Sequence, residues 1–127
     1  MKMVGKILIV DDSITARKVI IDCLQNTDWE IIEAQNGNEG LQKLEENPDI
    51  DLIFSDINMP WLNGLEMVTK IKEIDAYRNI PICMLTTESS SDAIEKAKEL
   101  GVNAFIVKPG SSEQLNAIIE EVSKTDT

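Results

Sequence analysis

Five short apolar runs, each followed by a helix-patterned segment, constrain this chain more than any other feature. Lys6-Ile7-Leu8-Ile9-Val10 is continuously apolar and β-branched, which suits a strand buried on both faces. Ser13 then caps a segment with Ala16, Ile20, Cys23 and Leu24 at helical spacing, broken at Asn26-Thr27-Asp28. Trp29 to Ala34 is a second strand, interrupted by glutamates and so placed nearer an edge. Asn36-Gly37 signals a turn into a short helix with Leu41 and Leu44 inward, which stops at Asn47-Pro48. The third strand is Asp51 to Ser55, ending on Asp56. Asn63-Gly64 opens a helix carrying Leu65, Val68, Ile71 and Ile74 on one side. Pro81 introduces Ile82 to Thr86, a fourth buried strand. Ser90 to Leu100 is a helix with a weak apolar face (Ala93, Ala97, Leu100), stopped by Gly101. Ala104 to Val107 is the fifth strand, ending at Lys108-Pro109. The last helix has a capping box, Ser111 with Gln114, and a stripe of Leu115, Ile118, Ile119 and Val122.

Buried strands alternating with amphipathic helices over short connections predict an α/β fold, a parallel sheet covered on both faces. A chain of 127 residues is one domain, large enough for a real core. Its net charge of −11 argues against nucleic acid or an anionic membrane as a direct partner. There is no histidine, which removes the usual general base, the usual metal ligand and any Ser-His-Asp arrangement. Cys23 and Cys83 lie inside apolar periodic segments and read as reduced core residues. The apolar run after Met1-Lys2-Met3-Val4-Gly5-Lys6 is too short for a signal peptide or a membrane span, so the expected location is cytoplasmic. Met59 and Met67 read as packing, Trp61 as a half-exposed loop residue, and Arg17 and Lys18 as exposed helix charges.

Ligands of such folds bind at the carboxyl ends of the strands, where strand order reverses. Four of the five predicted strand ends carry polar or ionisable groups: Asp11-Asp12, Asp56, Thr86-Thr87 and Lys108. Taken singly these are weak signals. Paired aspartates after a strand are as readily a helix cap, and a lysine before a proline is usually a solvated loop residue. Gathered at one sheet edge they define a chemistry. Asp11, Asp12 and Asp56 in one cleft would repel and raise one another's pKa, a conflict resolved by an oxygen-seeking divalent cation such as Mg²⁺. With Lys108 as a fixed positive charge and Thr86 as a hydroxyl, the set forms a cradle for a phosphoryl group. Without a histidine or an activated serine or cysteine, the nucleophile left is a carboxylate, Asp56, which would form an acyl phosphate.

The set Asp11-Asp12, Asp56-Ile57-Asn58-Met59-Pro60, Asn63-Gly64, Thr86 and Lys108-Pro109 resembles the receiver domain of bacterial response regulators, and within it the stand-alone chemotaxis type. The likeness spans essentially the whole chain. It implies a flavodoxin-like doubly wound fold of five parallel strands in the order 2-1-3-4-5 with five helices. It implies that Asp56 is the phosphoacceptor, and that Asp11, Asp12, Asp56 and the backbone carbonyl of Asn58 hold Mg²⁺. Lys108 would pair with a phosphoryl oxygen. Thr86 would hydrogen-bond the phosphoryl group, with Phe105 as the aromatic switch that follows it. On the residues alone Phe105 is more often core than switch. Many relatives have Tyr there, and Phe lacks the hydroxyl. Gly110 also departs from the family, where a bulky apolar residue is common. The Lys108-Pro109 bond is expected to be cis. Asn58 and Glu88 would tune the lifetime of the acyl phosphate, and their pairing resembles the rapidly turning-over type.

The expected function is a phosphorylation-switched signalling protein of a two-component system, with no enzymatic activity beyond its own phosphorylation and dephosphorylation. The donor would be a histidine kinase of chemotaxis type, and the target a flagellar motor switch or a phosphotransfer protein. The protein is expected to be a single receiver domain without an effector domain, and a monomer. The helix over 90–100, the fifth strand and the last helix are the candidate moving surface. One alternative is a relay carrier passing phosphate to a histidine phosphotransfer protein. Another is a Mg²⁺-dependent aspartyl phosphohydrolase, but such enzymes commonly need a second aspartate where this chain has Asn58. A degenerate, unphosphorylated scaffold is a fourth reading, disfavoured because no expected site residue is missing.

Overall fold

The computed structural model describes residues 5–24 and 28–125, with side chains through residue 122. The predicted interruption at Asn26-Thr27 therefore lies outside the described residues, as does the stretch before Gly5. The strands are β1 (Lys6–Val10), β2 (Glu30–Ala34), β3 (Leu52–Ser55), β4 (Ile82–Thr86) and β5 (Ala104–Val107). They alternate with α1 (Ile14–Cys23), α2 (Gly37–Glu46), α3 (Gly64–Lys72), α4 (Ser91–Glu99) and α5 (Ser112–Thr125). All pairings are parallel and the sheet order is β2-β1-β3-β4-β5, as the resemblance implied.

Side chains on successive strand residues point to opposite faces, so the continuous apolar runs feed two cores at once. Leu8 and Val10 of β1 enter one cluster with Leu44, Met67, Val68 and Ile71, beneath α2 and α3. Ile7 and Ile9 enter the other with Ile20, Leu24, Leu115 and Ile119, beneath α1 and α5. Every residue of β3 and β4 is buried, whereas the outer strands β2 and β5 are partly exposed. The glutamates of β2 thus did mark an edge strand. Met59 and Met67 pack inside, Cys83 lies in the core and Cys23 is half-buried.

The helix starts follow the chemistry of their caps. Ser13, Asn36, Asn63 and Ser90 each accept the backbone N–H three residues on. The capping box at Ser111 and Gln114 closes in both directions, at 2.9 and 3.1 Å. Three expectations need correction. Ile74 does not share the buried face of α3, because the helix ends at Lys72 and Ile74 is 39% exposed in the following turns. Trp61 is 83% exposed rather than half-exposed, and it stands in left-handed backbone at φ 65°. Arg17 is not an exposed charge: it is 7% exposed and bonded to Glu33 and to the Asp11 carbonyl at the carboxyl end of the sheet.

Candidate functional site

The carboxyl ends of β1, β3 and β5 bring Asp11, Asp12, Asp56 and Lys108 into one cleft. Each strand is continued by a ladder bond that fixes where its acidic or basic residue emerges. The Asp11 N–H donates to Ala34 at 3.0 Å, the Asp56 N–H to Val10 at 2.9 Å, and the Lys108 N–H to Thr86 at 2.8 Å. One carboxylate oxygen from each of Asp11, Asp12 and Asp56 lies within 4.8 Å of the others. Asp11 and Asp56 are buried, at 2% and 8% exposure, and Asp12 is exposed.

Asp11 and Asp56 each divide their two oxygens between the backbone and a shared cation. Asp11 Oδ1 accepts the Ser13 N–H at 2.9 Å and Oδ2 accepts Lys108 Nζ at 2.7 Å. Asp56 Oδ1 accepts the N–H groups of Ile57 and Asn58 at 2.6 and 3.3 Å, and Oδ2 accepts Lys108 Nζ at 3.1 Å. Burial pulls the Lys108 ammonium down, but hydrogen bonds and the charges of Asp11 and Asp56 outweigh it and hold its pKa above the ordinary value. At this separation, unscreened like charges repel by about 4 kcal/mol at an effective dielectric near 20. One ammonium cannot neutralise three carboxylates. An all-oxygen, three-carboxylate set open on the Asp12 side fits a hard divalent cation, with room for retained water.

The loop after Asp56 is shaped by close backbone approach. A Cβ on Gly64 would overlap the carbonyl oxygen of Asp56, and the Gly64 N–H donates to Ile57 at 2.8 Å. The Gly37 N–H donates to the Leu62 carbonyl at 3.1 Å, tying the same loop to the start of α2. Asn58 is exposed on this loop.

The other predicted residues lie on or just after β4 and β5. Thr86 is fully buried at the end of β4, and its Oγ1 accepts the Glu88 N–H at 3.2 Å. The Glu88 carboxylate accepts the Ser90 N–H at 3.2 Å, so it is drawn toward the start of α4. Phe105 is half-buried, packed on the core cluster beneath α2 and α3. Lys108-Pro109 is cis.

Arg17 belongs to this site and was missed. Its Nη1 donates to the Asp11 carbonyl at 2.6 Å and its Nε to Glu33 on β2 at 2.8 Å. A signal was present: Arg17, Ile20 and Leu24 lie at i, i+3 and i+7, which puts the arginine on the buried stripe of α1.

Comparison with known proteins agrees with this arrangement. Residues 7–120 match the response regulator receiver domain family. The chain is 38% identical over 122 residues to chemotaxis protein CheY1 of Helicobacter pylori, covering 95% of this chain and 98% of that protein. It is 38% identical over 121 residues to the chemotaxis protein CheY homolog of Campylobacter jejuni, covering 94% and 93%. Among solved structures, chemotaxis protein CheY4 of Vibrio cholerae superposes with a TM-score of 0.85 at 36% identity, covering 94% of this chain and 98% of that one. With this fold, this cleft and this match along most of its length, the chain belongs to the response regulator receiver domain family and is CheY-like within it.

Proposed function

We propose that this protein is a phosphorylation-switched signalling protein that accepts a phosphoryl group on Asp56. The observation that carries the reading is Lys108 Nζ held between Asp11 and Asp56 at 2.7 and 3.1 Å, with the carboxylate of Asp12 within reach. Asp56 Oδ2 lies toward the cleft, and Oδ1 is restrained by the Ile57 and Asn58 amides. In the transfer, an Asp56 oxygen forms a bond to phosphorus as the bond to the donor's leaving atom breaks. The leaving imidazole nitrogen or carboxylate oxygen keeps the electron pair. Asp11, Asp12, Asp56 and the Asn58 carbonyl would hold Mg²⁺, which supplies charge neutralisation for the incoming phosphoryl oxygens. Lys108 is placed to pair with one of those oxygens. The Thr86 Oγ1 accepts the Glu88 N–H at 3.2 Å and its O–H can still donate, so Thr86 would bond a phosphoryl oxygen by moving toward it. Phe105 is the residue that would fill the space this movement alters. Asn58 and Glu88, two residues beyond Asp56 and Thr86, are assigned to the lifetime of the acyl phosphate.

The chain contains no histidine, so the donor is another protein or a small acyl phosphate. A histidine kinase of chemotaxis type is the donor that the chemotaxis relatives favour, with a flagellar switch or phosphotransfer protein as the target. The protein acts as a single receiver domain, monomeric and cytoplasmic, and signals through altered protein binding rather than turnover of a separate substrate. No helix among the described residues is long and apolar enough to cross a membrane.

The test is incubation with acetyl phosphate and Mg²⁺, followed by intact mass, for wild type and Asp56→Asn. The expected result is a gain of one phosphoryl group in the wild type alone, lost when Mg²⁺ is chelated. No gain in either protein, or an equal gain in Asp56→Asn, would refute the assignment.

A further inference from the structure

We propose that Arg17 is a positioning residue for the cation site: its guanidinium fixes the peptide that joins Asp11 to Asp12. The inference rests on the acceptor reading above, because it concerns how that site's carboxylates are presented. Helical side chains lean toward the helix N-terminus, and from the end of the first turn of α1 this carries Arg17 back under the end of β1. A guanidinium that is only 7% exposed is costly unless its donors are used. Two are used in a directed way. Nε–H donates to Glu33 at 2.8 Å, and Nη1–H donates to the Asp11 carbonyl at 2.6 Å.

The geometry of the pair matters more than its charge. The guanidinium is planar and its donors form a fixed fork, so the ion pair to Glu33 sets the plane from which Nη1 addresses Asp11. The Asp11 N–H is meanwhile committed to Ala34 at 3.0 Å. Both polar groups of the Asp11 main chain are therefore held, one by the β2 backbone and one by a side chain anchored on β2. The carbonyl that Arg17 grips belongs to the Asp11-Asp12 peptide. Rotation of that peptide would swing the exposed Asp12 carboxylate relative to the two buried ones. Glu33 neutralises Arg17, so its net field at the cleft is small. Arg17 does not touch the carboxylates and is not a catalytic residue. It acts through Asp11.

The proposal is tested by titrating Mg²⁺ calorimetrically into wild type, Arg17→Met, Arg17→Lys, Glu33→Gln and the charge-balanced double variant Arg17→Met/Glu33→Gln. Loss of an outer-shell partner lowers metal affinity by about 10–100-fold, and Arg17→Met is expected near the lower bound. The double variant should lose the same factor, because it removes the grip on Asp11 without changing net charge. Arg17→Lys, which keeps the charge but not the fork, should lose less, and Glu33→Gln least. Phosphorylation of Arg17→Met by acetyl phosphate should recover toward the wild-type rate at saturating Mg²⁺, a split that a general loss of folded protein would not give.

Wild-type affinity in Arg17→Met would overturn the proposal. So would restoration of wild-type affinity in the double variant, which would make the effect one of charge. If Arg17→Met does not fold by circular dichroism, wild-type affinity in Arg17→Lys overturns it instead. Absence of Mg²⁺ binding in the wild type would overturn the acceptor reading along with this one. Normal wild-type binding with unchanged variants overturns the role of Arg17 alone.

Discussion

The two sides of the acidic cleft are built differently. On the β1–β3 side, Asp11 has its N–H, its carbonyl and both carboxylate oxygens bonded, to Ala34, Arg17, Ser13 and Lys108. The helix that follows Asp56, α3, buries Gly64, Met67, Val68 and Ile71. On the β4–β5 side, the Thr86 hydroxyl accepts one 3.2 Å bond, α4 buries Ala97 alone, and β5 is an edge strand with Val107 44% exposed. A binding site needs fixed ligands, and a signal needs an element that can be moved at small cost. The fixed carboxylates stand at the ends of β1 and β3, the lightly packed elements follow β4 and β5, and Lys108 reaches from the second group to Asp11 and Asp56 of the first.

The sharpest way to break that comparison is to truncate one packed residue on each side. Ile71→Ala in α3 removes a fully buried side chain and should destabilise by about 3 kcal/mol. Ile94→Ala in α4, where the residue is half-buried, should cost about 1 kcal/mol or less. Urea unfolding of both variants checks this, and equal losses would remove the asymmetry.

How much of this was legible in the sequence follows the same division. Asp11, Asp56 and Thr86 were readable because each ends a run buried on both faces, which leaves little freedom in where it stops, and Lys108 because it ends the apolar run of the edge strand β5 just before a proline. The weak apolar face of α4 was readable from Ala93, Ala97 and Leu100. Arg17 was not, because a charged side chain on the buried stripe is sensible only once Glu33 and the Asp11 carbonyl are known to face it. Ile74 was misplaced because helical spacing continues past Lys72 although the helix does not. Trp61 at φ 65° is a case where backbone context overrides residue preference, and no local pattern encodes it.

A smaller effect locates where the movable side begins. β4 carries Thr86 at its end, yet all of its residues are buried, so the looseness should start beyond the strand. Burial pushes the Cys83 thiol up to about 12, from an ordinary 9.0. At neutral pH, labelling of the native protein with a thiol reagent should modify Cys23 and leave Cys83 protected. The sign of the pH effect follows. The folded state holds the Cys83 proton more tightly than the unfolded chain, so this contribution is complete below pH 9 and is lost as pH rises toward 12. A stability difference between wild type and Cys83→Ala that stays flat across that range, or rapid labelling of Cys83 at neutral pH, would place the looseness inside the sheet.

The most direct measurement of the central claim is amide hydrogen exchange before and after phosphorylation with acetyl phosphate and Mg²⁺. Exchange is expected to change most in α4, β5 and the segment joining β4 to α4, while the cores of α1 and α3 keep their protection. Changes of equal size in α1 and α3, or an α4 and β5 that exchange identically in the two states, would contradict that claim.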